Sequence, residues 1–196
     1  TEALPGRKLK DAATVWSKAG KTLLVSRLRT NTHRVIAIGF GKNVLGNTWW
    51  AFDDSALSDK QRKSLLLWFN STLGILSYYG RRAITEGAWM QMKKPAWSSM
   101  PVLDVRQLKK PQLDALANAY DAVSKKELGA IAHLHTDATR HEIDAALEKA
   151  LSLPNLSPIR ELLAREPGRS AEDIAAATDE AEDEDQEEVT EALERS

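Results

Sequence analysis

Arg27, Arg29, Asn31, Thr32, His33 and Arg34 crowd one short stretch of the chain, and Lys42, Asn43, Asn47, Thr48 and Trp49 occupy the next. Further on, Arg81, Arg82, Lys93 and Lys94 surround Trp89 and Trp97. Arginine and lysine hold phosphates, while asparagine and arginine are the types that read base edges. Tryptophan and tyrosine stack on exposed bases. The pattern therefore predicts a nucleic-acid surface. Its phosphate contacts would be Arg27, Arg29, Arg34, Lys42, Arg81, Arg82, Lys93 and Lys94, and its base contacts Asn31, Asn43 and Asn47. The competing reading is a solvated basic face, with Trp68 and one of Trp49 and Trp50 in the core.

Other chemistry is thinner. "HLHTD" (133–137), with His141 close by, has the H-x-H-x-D spacing of metal-dependent hydrolases. A metal site needs a closed set of convergent ligands, yet position 138 is Ala138 and no distant His or Cys set completes the group. Incidental histidines in a surface loop are the better account of His133, His135 and Asp137. "GFGKNVLG" (39–46) is neither the phosphate loop nor G-x-G-x-x-G, because the third position falls on Val44. A turn between strands fits it better. There is no G-x-S-x-G and no Asn- or Asp-Pro-Pro-aromatic tetrapeptide, so no catalytic residue is assigned and no self-sufficient active site is expected.

The elements that must position these residues follow from periodicity. Residues 1–20 read as an irregular lead-in. "TLLVSRLRT" (22–30) and "RVIAIGF" (34–40) read as strands separated by a turn at 31–33. The two-residue period of a strand puts Arg27 and Arg29 on one face. A loop over 41–47 and a third strand, "TWWAF" (48–52), complete a β-rich part. Capping residues Asp53, Asp54, Ser55 and Asp59 then lead into one helix over about 59–80, apolar nearly all round and so packed on several sides. Asn70, Ser71 and Thr72 interrupt its greasy run and must find hydrogen-bond partners. Residues 80–104 read as irregular. Helical spacing returns at 111–126 and 137–151, and Pro158 opens a short last helix.

The expected fold class is α+β: a recognition part with its central helix over 21–108, a helical part over 109–169, and a disordered acidic tail from 170. Charge sharpens the division. The net charge of −1 conceals a segment, 171–196, with 12 acidic residues against one basic, a balance of −11. Residues 1–170 carry 26 basic against 16 acidic residues, a balance of +10. Such asymmetry points to polyanion binding, an acidic interaction tail, or both. The chain has no cysteine, which removes disulfides and thiolate chemistry and suits a cytoplasmic protein. The apolar run at 65–79 is too short for a membrane span, so no membrane partner is expected.

Residues 49–108 resemble the C-terminal region of N6-adenine DNA methyltransferases from bacterial restriction-modification and phage-defence systems. The matching residues are Trp49-Trp50, "LWFNSTLGIL" (67–76), Gly87 and Pro101-Val102-Leu103-Asp104. "RHEIDAALEKALSLPNLSPIRELLAREP" (140–167) resembles that family's R-x-x-I-D opening and its L-L-A-x-E-P close, so the likeness spans about 22–167. It implies a target-recognition module lying against duplex DNA. Such enzymes hold S-adenosylmethionine on a Gly-rich motif and flip the adenine against an Asn- or Asp-Pro-Pro-aromatic motif. Both motifs are missing. The resemblance thus implies a non-catalytic chain, with the cofactor on a catalytic core in a missing portion, a partner chain or another defence-system subunit. A protein-interaction module, docking a partner through its C-terminal helices and acidic tail, is the alternative.

Overall fold

The computed structural model describes residues 11–85 and 89–165. The acidic segment from 171 onward and Gly87 lie outside them. The lead-in is not wholly irregular, since Asp11 caps a short helix, α1 (Ala12–Trp16), by accepting the Thr14 N–H at 2.8 Å. Strand β1 (Gly20–Val25) then runs through Ser26 into β2 (Arg27–Leu28). Ser26 is where two sheets meet. Its N–H donates to the Thr48 carbonyl at 2.9 Å, and its carbonyl accepts from the Met92 N–H at 2.8 Å. Before Ser26 the chain pairs with β3 (Ala37–Val44) and β4 (Trp49–Phe52), in the order β3-β1-β4. After it, β2 pairs with β6 (Trp89–Gln91), whose other neighbour is β5 (Ala83–Thr85). Every pairing is antiparallel. The single strand expected over 22–30 is thus shared between two sheets.

Two boundaries differ from expectation in this part. The strand expected at 34–40 begins at Ala37, and the loop expected at 41–47 is largely strand, because β3 continues to Val44. The ladder slips within it: Thr22 faces Gly39 while Gly20 faces Val44. Extra residues on one strand are the mark of a bulge, so Phe40–Asn43 depart from simple alternation. Residues 80–104, expected to be irregular, hold β5, β6 and helix α4 (Lys94–Ser98).

The helix expected over 59–80 is two helices. Helix α2 (Asp59–Phe69) opens with a capping box, in which Ser58 N–H donates to Gln61 Oε1 at 2.9 Å and Gln61 N–H to Ser58 Oγ at 3.3 Å. It ends at Phe69, and Ser71 caps helix α3 (Thr72–Arg81) by accepting the Gly74 N–H at 3.3 Å. Gly74 is required for the join, since a Cβ there would stand 2.3 Å from the Phe69 carbonyl oxygen and 2.4 Å from that of Trp68. The polar triplet breaks the helix because each member bonds elsewhere. Asn70 Oδ1 accepts from Ile36 N–H at 2.9 Å, and its Nδ2 donates to Ala37 O at 2.8 Å and Leu66 O at 3.0 Å. Thr72 gives both its N–H (2.9 Å) and its hydroxyl (2.6 Å) to the Asp144 carboxylate. A side chain so placed tests readily. Asn70→Ala strands buried backbone groups on β3 and is expected to lower stability by about 2–3 kcal/mol, read from a shifted urea midpoint at unchanged slope.

Asp144 belongs to helix α6 (Ala138–Leu151), which packs on α5 (Lys110–Val123), which in turn packs on α2. Arg160 of the last helix, α7 (Ser157–Ala164), donates to Asp144 Oδ2 at 2.5 Å. Arg140 is fully buried and gives its Nη atoms to Asn70 O at 2.7 Å and Arg34 O at 2.6 Å. Around this polar knot lies one apolar core drawn from both sheets and the helices, including Val25, Leu28, Ile75, Met90, Leu116 and Leu147. The fold is mixed α+β, as the periodicities implied.

Candidate nucleic-acid interface

The second sheet collects much of the predicted surface. Its residues alternate: Leu28 and Met90, paired across the ladder, are fully buried, while Arg27 and Gln91, also paired, face outward. Trp89 follows in the same phase. Its indole carries two guanidinium groups, Arg27 Cζ at 4.7 Å and Arg29 Cζ at 4.6 Å from the ring centroid. Arg27 and Arg29 therefore do share a face, as their spacing implied. Each such contact contributes about 0.5–1 kcal/mol at an exposed site, and it also narrows the rotamers the arginines visit. Neither guanidinium forms a hydrogen bond or an ion pair among the described residues. They are two held cations with nothing to neutralise them.

His33 closes one side of this cluster. Its ring meets the Trp89 indole edge-on, 6.0 Å between centroids, and its Nδ1 accepts the Arg29 N–H at 3.1 Å. Burial pushes the imidazole pKa below its ordinary value, which keeps Nδ1 free to accept and fixes the backbone that presents Arg29. The indole meanwhile serves the arginines and is not left bare for a base. Trp97 is also withdrawn, because it packs edge-on against Phe69 and Tyr78, both at 5.8 Å.

Lys93 and Lys94 leave β6 at the junction of the sheets. Lys93 is exposed, and Lys94 Nζ sits 4.9 Å from the ring centre of Trp50, which is itself exposed. Trp50 Nε1 donates to Met92 O at 3.4 Å, so this second cation–indole pair is anchored to the segment that carries Trp89. Asn47 adjoins Thr48, whose carbonyl holds Ser26, and is exposed at the same junction. Arg81 ends α3, exposed, one residue before Arg82 and the start of β5. Arg82 has structural duties: its Nη1 donates to Tyr79 O at 2.6 Å and its Cζ lies 4.7 Å from the Tyr79 ring centroid.

The remaining predicted residues lie elsewhere. Arg34 is bound to Glu127 and donates to Leu128 O at 3.1 Å, beside the helical part. Lys42 and Asn43 are exposed on the bulged end of β3, near Gly20. Asn31 is half-buried in the turn after β2, with its Oδ1 enclosed and unbonded among the described residues. The core of the surface is thus Arg27, Arg29, Lys93, Lys94, Arg81 and Asn47, with Trp89 and Trp50 as supports. The strand that supplies Trp89 escaped the sequence reading. Its signal was present, since Met90 and Met92 alternate with Trp89 and Gln91 and both methionines are fully buried.

The histidine cluster has no comparable convergence. Asp137 caps α6, its Oδ1 accepting from Thr139 N–H (2.9 Å) and Arg140 N–H (3.2 Å) and its Oδ2 from Gly129 N–H (2.8 Å). His133 and His135 are exposed. Among the described residues no group of three or more His, Cys, Asp or Glu side chains is placed to hold a metal ion. Gly39 and Gly41 lie on a strand with no helix after it, which is not the cradle a nucleotide or S-adenosylmethionine needs. No described helix is long and apolar enough to cross a membrane.

Fold and surface together define a mixed α+β protein that presents arginines on an indole template at the join of two small sheets. In comparison with known proteins, the chain matches no family model, no curated protein and no solved structure.

Proposed function

We propose that this chain is a DNA-binding module that helps select the target of an N6-adenine DNA methyltransferase and has no catalytic part of its own. The observation that carries the DNA reading is the pair of unneutralised guanidiniums, Arg27 and Arg29, stacked on Trp89. Held cations without carboxylate partners suit phosphate oxygens, and the +10 balance of residues 1–170 supplies the surrounding field. The methyltransferase context rests on the resemblance of residues 22–167. It assigns methyl transfer, and S-adenosylmethionine with it, to a core on another chain or another portion. Residues quoted for that resemblance, Asn70 to Gly74 with Arg140 and Asp144, are the ones that build the junction beneath the sheets.

The test is a fluorescence-anisotropy titration of the chain with a ~30-base-pair duplex at two salt concentrations, where each neutralised phosphate adds about 0.9 to the slope of log K against log salt. Salt-sensitive binding is expected. Removal of residues 171–196, with their balance of −11, is expected to tighten binding because that segment competes with DNA for the same cations. Binding that ignores salt sinks the reading. Loss of a protein partner on the same deletion, with no DNA affinity in either chain, would support the interaction module instead.

A further inference from the structure

Strand β3 is an outer strand of its sheet, and the phase of its hydrogen bonds can be read residue by residue. Val25 N–H donates to Ile36 O at 2.9 Å, and the register continues Leu24 to Ala37, Leu23 to Ile38 and Thr22 to Gly39. Antiparallel ladders alternate, so Ala37 and Gly39 turn their N–H and C=O groups away from β1. At Ala37 a side chain takes the place of a neighbouring strand. The Asn70 carboxamide donates to Ala37 O at 2.8 Å and accepts from Ala37 N–H at 3.4 Å, the two bonds a peptide unit would make there. At Gly39 no described group outside the β1 ladder makes a hydrogen bond, and the edge stands open.

A cleft of about 430 Å³ lies along that edge, within the range of ligand pockets. Leu66 and Asn70 form its floor, and Tyr120, Val123, Leu128 and Ile143 its opposite wall. Its rim cations are already satisfied, Arg34 by Glu127 and Lys126 by Glu142. Lys42, farther along β3, is exposed and has no ion-pair partner among the described residues. Apolar walls beside a vacant backbone donor and acceptor match one chemistry, that of an extended polypeptide.

The geometry points to a strand-addition site: the edge of β3 at Gly39 receives an extended segment of a partner protein, apolar in its middle and acidic at the end near Lys42. Main-chain hydrogen bonds would supply affinity and the cleft would select alternate side chains. This site is separate from the Arg27–Trp89–Arg29 surface and does not depend on the DNA reading.

The probe is a short, terminally blocked peptide of alternating valine and threonine with an aspartate at each end, titrated into the full chain and followed by amide NMR and hydrogen exchange. Saturable binding is expected, with the Gly39 N–H exchanging at least about tenfold more slowly in the complex. Ser124→Trp, which narrows the cleft from its rim, is expected to weaken the peptide about tenfold or more while leaving the fold and the DNA affinity as they were. Absence of binding, or binding that leaves the Gly39 amide unchanged, overturns the proposal. So does peptide binding that survives Ser124→Trp, or that is lost in the Arg27→Ala/Arg29→Ala chain. A Gly39 amide already protected in the free chain would also overturn it, because the edge would then be filled by the chain itself.

Discussion

Asp144→Ala is expected to remove about 3–5 kcal/mol of stability, the usual penalty for stripping one partner from a buried ion pair. The carboxylate is 1% exposed and holds three groups: Thr72 N–H, Thr72 Oγ1 and Arg160 Nη1. Without it, Arg160 keeps only the Ser157 hydroxyl, at 2.9 Å, as a described partner inside the protein. The Thr72 N–H also loses the acceptor that starts α3. Since a domain has only about 5–15 kcal/mol in total, the chain would be near unfolding at 37 °C. Urea denaturation measures it directly. The mechanism has its own check, because part of the loss is a stranded charge. Replacing Arg160 by Met in the Asp144→Ala background should therefore add less damage than Arg160→Met does alone, a coupling of at least about 1 kcal/mol in the double-mutant cycle. Strict additivity would mean the pair is not a unit.

The second large effect falls on binding. Arg27→Ala with Arg29→Ala is expected to weaken duplex binding about 100-fold, taking roughly 1.4 kcal/mol for each charged contact. The salt slope should fall by about 2, near 0.9 for each lost phosphate contact. Stability should change little, since neither guanidinium is hydrogen-bonded and only the stacking on Trp89 is lost. Trp89→Leu separates charge from placement. It keeps both arginines but frees their rotamers, so affinity should drop about tenfold while the salt slope stays nearly the same. Arg34→Ala is the contrast, because its guanidinium is committed to Glu127 and the Leu128 carbonyl. Equal losses from Arg34→Ala and from the Arg27/Arg29 pair would mean that the field, and not this cluster, governs binding.

What could be read from the chain alone was whatever depends on neighbours in sequence. The helices at 110–123, 138–151 and 157–164 follow from apolar spacing and from Pro111 and Pro158 in their first turns. The strand period placed Arg27 and Arg29 on one side, and composition separated a basic chain from its acidic end. What depends on partners far along the chain was not legible. Asn70 reaches 34 residues back to Ile36, and Thr72 reaches 72 residues on to Asp144. No local pattern says that such bonds will outcompete a continuous helix, so one helix became two. Trp89 looked like a free stacking surface until β2 and β6 paired and laid both arginines on it. Arg34, similar to them in type and position, was drawn off by Glu127, 93 residues away. Residue type set what these side chains can bind. Tertiary structure decided which of them remain unbonded, because a cation's partners are fixed by distance in space and not by distance along the chain.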